Sequence, residues 1–243
     1  MKRRRRDPLL CELHAHTRWS DGHHSVRELV DLYGRSGFDV LCITDHLVRV
    51  PEGMSQPSVA ITADSHDWYL EAIETEAARG RLLYDLLVVP GLELTYEDHD
   101  ACRAGHAVAV GLRQLVDLEP GLDGALESAR AAGAALIAAH PYRPDQSNAS
   151  LRSTCRWAAE REESARLLDR FELFNRHELF GWVAEERLPA VATGDFHVQE
   201  HLHTWKTLLP CGKEEAAVID YLRSSRPAYF VHLSRFDGLR AAA

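Results

Sequence analysis

The chain has 243 residues, 45% of them hydrophobic and 27% charged, with a formal net charge of −9. That balance is ordinary for a folded globular protein, and no apolar run approaches the length of a membrane span. Binding along a nucleic-acid backbone needs a basic face, so long nucleic acid is disfavoured as a partner, while a small anionic ligand is not excluded.

Lys2 to Arg6 form a basic cluster, but Leu9, Leu10 and Cys11 run straight into Glu12, so no signal-peptide core follows it. Residues 1–8 read as a disordered basic tail ahead of one domain over 9–243. Cys11, Cys42, Cys102, Cys155 and Cys211 are dispersed, with no C-x-x-C pair, and read as reduced thiols of a cytoplasmic protein.

Leu9 to Leu13 is an apolar run of strand length that ends in His14-Ala15-His16. Alternate residues of a strand point the same way, so the two imidazoles sit side by side. Asp21 follows in a Gly-containing turn. Ser25 and Glu28 have the spacing of a capping box, and Val26, Leu29, Val30 and Tyr33 recur at helical spacing behind it. A second apolar strand, 38–44, ends in Asp45-His46. Strand, helix, strand is the pattern of a parallel sheet.

Residues 47–63 carry Pro51, Gly53 and Pro57 and read as a long loop. A helix is predicted over 64–80, then a strand over 86–94 bent at Pro90-Gly91, a charged turn over 97–103 and a strand from His106 to Val110. A helix over 122–132 closes at Gly133, and the strand 134–139 runs into His140-Pro141. A loop over 143–150 leads to a helix over 151–170, a strand 171–174, a helix over 177–186 and a strand 188–193 that ends in Gly194-Asp195-Phe196-His197. A strand 206–209, a helix 214–224 and a strand 228–231 complete the chain. Strands alternating with helices fit a (β/α) barrel. The open doubly wound sheet ranks second, because no Gly-rich dinucleotide loop is present.

Metal-type side chains stand at the ends of strand after strand: His14 and His16, Asp45 and His46, Glu93, His140, and Asp195 with His197. His106 opens its strand instead. In a barrel the C-terminal strand ends converge on one mouth, where these residues would meet. Imidazoles and carboxylates together suit Zn, Mn or Fe.

The segments His14-Ala-His-Thr, Ser20-Asp-Gly, Ile43-Thr-Asp-His, Gly91-Leu-Glu-Leu, Gly105-His-Ala-Val, Ala139-His-Pro and Gly194-Asp-Phe-His resemble the successive motifs of the PHP (polymerase and histidinol phosphatase) superfamily. The resemblance runs from about residue 9 to residue 200. It implies an α/β fold, a distorted (β/α)7 TIM-like barrel, and a centre of two to three divalent ions (Zn, Mn or Fe). By motif, His14, His16, Glu93 and Asp195 would hold a first metal. Glu93 would bridge to a second, completed by His106 and His140. Asp21, His46 and His197 would hold a third, with His23 a rival for the Asp21 position. Asp45 would orient a ligand imidazole.

Hydroxide held between two such ions is a strong nucleophile near neutral pH. The expected activity is hydrolysis of a small phosphomonoester: a nucleotide, a sugar phosphate or an amino-alcohol phosphate. The alternatives are a nuclease on short oligonucleotides, a non-phosphate amidohydrolase and a catalytically silent metal-binding module. Arg143, three residues after His140, is a candidate phosphate grip, and His177 a candidate acid toward the leaving group. The sequence does not speak to oligomeric state.

Overall fold

The computed structural model describes residues 7–144 and 154–234. The Lys2–Arg6 cluster and most of the loop expected over 143–150 lie outside the described residues.

The chain begins with β1 (Leu9–Glu12), α1 (Val26–Arg35) and β2 (Val40–Ile43). The capping box forms as the spacing requires. The Ser25 side chain accepts from the Glu28 backbone N–H, and the Glu28 carboxylate accepts from the Ser25 N–H at 2.8 Å. Behind it Val26, Leu29, Val30 and Tyr33 are buried.

Next comes β3 (His46–Arg49), a short strand where a loop was expected, then α2 (His66–Tyr84) and β4 (Leu87–Tyr96). Helix α2 continues through Gly80, which the sequence reading took as its end. A Cβ there would meet Val30 Cγ1 at 2.9 Å, so this glycine permits close approach of α2 to α1. The helix stops instead at Asp85, whose φ of 53° is left-handed. Strand β4 runs unbroken across Pro90-Gly91: Pro90 pairs with Ile43 and Gly91 with Val110.

The remaining elements are β5 (Gly105–Val110), α3 (Leu122–Ala131), β6 (Ala135–Ala138), α4 (Arg156–Ala159), α5 (Arg161–Leu167), β7 (Arg170–Asn175), β8 (Glu178–Leu179), α6 (Gly181–Glu185), β9 (Ala190–Thr193), β10 (Trp205–Leu209), α7 (Glu215–Leu222) and β11 (Tyr229–His232). Two short helices thus replace the long one expected over 151–170, whose first three residues lie outside the described residues. The helix expected from His177 starts later, because Arg176 is left-handed (φ 52°) and turns the chain into the β7–β8 hairpin.

Among the described residues the strands form one mixed sheet in the order β11-β10-β1-β2-β4-β5-β6-β7-β8, with β3 on β4 and β9 on β7. Strands β1, β2 and β4 are parallel, β5 is antiparallel to both its neighbours, and β6, β7 and β9 are parallel again. The sheet curls until the end of β9 reaches the end of β1. There Ala15 bridges Phe196, the His16 N–H donates to the Phe196 carbonyl at 2.8 Å, and the Phe196 N–H donates to the His14 carbonyl at 3.0 Å. The result is a mixed α/β fold of distorted-barrel type. It departs from a regular strand–helix repeat, since β4 passes to β5 without a helix and β5 runs backwards. That reversal brings the first residues of β5 to the rim where the other strands end, and it carries His106 there.

Alternation along the strands sorts the core into two layers. Val40 and Cys42 join Leu13, Ile137 and Val191 in one cluster, to which α7 adds Val218, Tyr221 and Leu222. Leu41 and Ile43 face the other cluster, under α1, α2 and α3. Arg170, buried at the start of β7, donates to the carbonyls of Tyr221, Leu222, Ser224 and Arg226. Helix α7 is thereby fixed at the strand entrances, away from the rim. No helix of the described residues is long and apolar enough to cross a membrane.

One buried ion pair ties β1 to β10. Lys206 Nζ lies 2.9 Å from Glu12 Oε2, with both side chains fully buried. Tyr33 of α1 donates its hydroxyl to Glu12 Oε2 at 2.9 Å, and the Gly194 N–H donates to Oε1 at 2.8 Å. A Cβ at Gly194 would overlap both the carboxylate and the ammonium group, so only glycine fits beside this pair. Lys206→Met leaves Glu12 charged and dry, and should cost about 3–5 kcal/mol in urea unfolding. Adding Glu12→Gln should recover much of the loss; no recovery in the double variant would mean the pair is not the source.

Candidate metal centre

Glu93 stands on β4 directly across from His46 of β3 and from Val108 of β5. His106, two residues before Val108, is therefore its diagonal neighbour on the same face. The register alone thus sets three polar side chains together. The Glu93 side chain is fully buried and is touched by five imidazoles. Oε2 lies 3.2 Å from His14 Nε2, 3.3 Å from His16 Nε2 and 3.0 Å from His46 Nδ1. Oε1 lies 3.2 Å from His106 Nδ1 and 3.3 Å from His140 Nε2.

Two further carboxylates flank this centre. Asp21 Oδ1 is 3.1 Å from His197 Nε2, 3.5 Å from His46 Nε2 and 3.8 Å from His16 Nδ1. Asp195 Oδ1 is 3.7 Å from His14 Nε2 and 3.5 Å from His16 Nε2, while its Oδ2 pairs with Arg176 at 3.0 Å. All nine residues expected as ligands therefore meet at one rim. Three groups have ligand atoms close enough to share an ion: His14, His16 and Glu93; Glu93, His106 and His140; and His16, Asp21, His46 and His197. His16 faces two of them, one with each ring nitrogen. Asp21 rather than the exposed His23 reaches the cluster.

A cation fits here on local grounds. His14 Nε2, His16 Nε2 and Glu93 Oε2 are buried without a hydrogen-bond partner, although they lie within 3.3 Å of contact across the group. A buried polar atom left unsatisfied costs about 1–3 kcal/mol, and three that converge on one point describe a ligand set. The outer nitrogen of His14 is already committed. Its Nδ1 lies 2.9 Å from Glu172 Oε1, which fixes the ring with Nε2 facing inward.

Glu172 was missed in the sequence and organises much of the rim. It accepts from Thr193 Oγ1 at 2.6 Å, from Asn175 Nδ2 at 2.7 Å and from the His140 N–H at 2.6 Å. The last bond holds His140 in a left-handed conformation, φ 28°, and Asp195 shares that strain at φ 40°. The available signal was a lone carboxylate inside the apolar strand Phe171–Phe174. Glu97, read as part of a charged turn, lies 3.1 Å from His106 Nε2, and Thr95 lies 2.7 Å from His46 Nδ1.

Three of the expected residues make no direct contact with the imidazoles of the cluster. Asp45 touches no imidazole: it accepts from the Thr17 N–H and hydroxyl at 2.8 Å and from Ser20 Oγ at 2.6 Å, and it is Ser20 that stands 3.4 Å from His16 Nδ1. Its carboxylate is spent on the turn that carries Asp21. Arg143 pairs with Glu185 of α6, and among the described residues no contact joins it to the cluster. His177 is exposed, with its ring 5.7 Å from that of His232, on the β7–β8 hairpin outside the cluster. The guanidinium at the rim belongs instead to Arg176, whose Nε donates to the Asp195 carbonyl at 3.1 Å.

The charges of the cluster are coupled. Burial works against ionising Glu93, but His46, His14 and His106 outweigh it and hold the carboxyl well below the usual range. The same balance, with His14, His16, His197 and Arg176, depresses Asp195. In return, Glu93 and Asp21 overcome the burial of His46 and raise it to about 10. Glu93 and Glu97 likewise overcome burial to raise His106 to about 8. His16, by contrast, is lowered by burial and by the neighbouring His46 and His197. The rim demands positive charge and takes protons where no cation supplies it.

Comparison with known proteins bears on this geometry. The model of the PHP domain matches residues 12–170, well over half of the chain. The chain belongs to the PHP domain family. A two-domain protein from Bacteroides vulgatus containing a predicted PHP-like metal-dependent phosphoesterase has a similar structure. The TM-score is 0.62 at 21% identity, over 99% of this chain and 73% of that one. A candidate metal-dependent phosphoesterase from Bifidobacterium adolescentis gives a TM-score of 0.51 at 15% identity, over 95% and 94% of the two chains. At such identities the likeness is one of fold. Over 91 residues the PHP chain is 29% identical to the DNA polymerase/3'-5' exonuclease PolX of Bacillus subtilis (strain 168), a match covering 36% of this chain and 15% of that relative's length.

Ligation needs neutral imidazoles, so binding a divalent ion must expel the protons on His46 and His106. With these groups at about 10 and about 8, both are mostly protonated at neutral pH. His14 and His197 are raised too, against burial, by neighbouring carboxylates, so calorimetric titration of the metal-free protein at pH 7 should release protons from several imidazoles, and apparent affinity should rise with pH. A binding heat independent of the buffer's ionisation enthalpy would contradict this.

Proposed function

We propose that this PHP-family chain is a metal-dependent phosphoesterase that hydrolyses a small phosphomonoester at the His/carboxylate rim. The observation that carries the reading is the convergence of three orphaned buried atoms, on His14, His16 and Glu93, all within the residues that the family model matches. His14, His16, Glu93 and Asp195 are assigned to one cation, Glu93, His106 and His140 to a second, and Asp21, His46 and His197 to a third. Zn, Mn and Fe all suit this donor set. Divalent ions so held supply Lewis acidity and lower the pKa of water.

The chain's own residues do the rest. Glu93 turns one oxygen to His14, His16 and His46 and the other to His106 and His140, and its charge would reduce repulsion between cations held by these two groups. Glu172 fixes the ring of His14 and the backbone of His140, so two ligands on different strands share one anchor. Arg176, with its side chain 36% exposed beside Asp195 and His197, is the cation placed to receive a phosphate oxygen. Arg143 and His177 have no part in this scheme. The acidic net charge, −9, favours a small substrate over a long nucleic acid.

The resemblance to PolX keeps one other reading open, removal of nucleotides from the ends of short oligonucleotides, since the exonuclease named there shares part of this chain. One assay separates the two. Full-length protein loaded with Mn, Zn or Fe is given nucleoside monophosphates, sugar phosphates, amino-alcohol phosphates and short oligonucleotides, and both inorganic phosphate and nucleotides are measured. Phosphate from the monoesters supports the proposal, and nucleotides from oligonucleotides alone would replace it. Glu93→Gln should lower metal content and phosphate release together, each by at least about tenfold; full metal occupancy in that variant would refute the ligand assignment.

A further inference from the structure

A cleft of about 410 Å³ opens directly off the candidate centre. Asp21, His46 and His106 form its inner end. Its outer wall is the segment that follows β3, with Val48, Val50, Met54, Pro57 and Val59 turned toward the space. The volume is that of a site for a small organic group, within the roughly 300–1,000 Å³ of such pockets. The loop expected at this place therefore has a defined inner surface, and that surface is mainly apolar, interrupted by Ser55 and Gln56.

The two carboxylates of the cleft both face imidazoles of the candidate centre, Asp21 at 3.5 Å from His46 and Glu97 at 3.1 Å from His106. Asp21 and Glu97 line it, and no lysine or arginine does. The nearest candidate in sequence, Arg49, is committed elsewhere: its guanidinium lies over the Tyr96 ring at 4.7 Å and donates to the Glu97 carbonyl at 3.0 Å. The rim's own guanidinium, Arg176, is bound to Asp195 and His197, neither of which lines the cleft. One end of the site thus offers cationic partners to a phosphate. The other offers mainly hydrocarbon, with Ser55 and Gln56 and no cation.

We infer that this cleft is the leaving-group subsite, and that it selects phosphomonoesters of apolar alcohols carrying no second anion. The inference rests on the phosphoesterase reading and narrows it. An apolar alcohol would displace water from the valine, proline and methionine side chains. A second phosphate at the outer wall would lose water against these side chains with no lysine or arginine of the lining to receive it, and that cost acts as selection against bisphosphates and oligonucleotides.

The test compares esters whose alcohols have similar acidity, so that rate differences report binding. Metal-loaded full-length protein is assayed for phosphate release from methyl phosphate, benzyl phosphate and propane-1,3-diol bisphosphate. Benzyl phosphate should exceed methyl phosphate by about tenfold or more in kcat/KM, mainly through KM, and the bisphosphate should be the poorest. Val59→Lys and Met54→Lys place a cation on the wall. In each, the benzyl-to-methyl ratio should fall at least about fivefold and the bisphosphate should gain. Equal use of benzyl and methyl esters, or an unchanged ratio in both lysine variants, would overturn the inference.

Calorimetry with benzylphosphonate and methylphosphonate reads the cleft without turnover. Tighter binding of the benzyl compound with no phosphate released from any ester would count against hydrolysis and in favour of the cleft. Equal binding of the two phosphonates would overturn the cleft whatever the turnover.

Discussion

A single carboxylate, buried and surrounded by imidazoles, is the constraint on which the rest of the molecule depends. Glu93 is fully buried, with five histidines within 3.3 Å. An isolated charge in such a place would be costly, so the fold must bring compensating groups from many elements to one point. It does so by sheet register. Strand β3 sets His46 opposite Glu93, the reversed β5 sets His106 diagonally, and closure of the sheet through Ala15 and Phe196 presses His14 and His16 against them. The buried Glu12–Lys206 pair and Glu172 are the outer supports. Each joins strands that are remote in sequence, and each contacts the backbone of a residue at the rim.

Much of this was readable from side-chain chemistry at strand ends. The i, i+2 spacing of His14 and His16 implied two rings on one face, and their centroids are 4.9 Å apart. His106 looked anomalous because it opens its strand. The anomaly marked the antiparallel β5, whose start lies where its neighbours end. Strand β3 was unreadable because it is four half-buried residues ahead of a Pro/Gly-rich segment, with no alternation to mark it. Gly80 misled as a helix end because a glycine needed for close packing and a glycine needed for a left-handed cap look alike in sequence.

The expected site residues that stand apart from the imidazole cluster share a cause. Nearness to a strand end in sequence does not fix the direction of a side chain. Arg143 and His177 both follow strands that reach the rim, yet one turns to α6 and the other to solvent beside His232. Asp45 reaches the rim but spends its oxygens on Thr17 and Ser20. Conversely, Glu172 lies inside a strand, where a carboxylate reads as an irregularity; only the fold reveals that four groups from β6 to β9 and from His14 converge on it.

The central claim is that Glu93 lies between two cation sites. The direct measurement is anomalous diffraction from crystals of the full-length protein loaded with Mn, collected at the metal's absorption edge. The account predicts separate peaks on the two sides of the Glu93 carboxylate, one against His14 Nε2 and His16 Nε2 and the other against His106 and His140. Bound Mn located away from Glu93, with the five imidazoles still closed around a metal-free carboxylate, would contradict it.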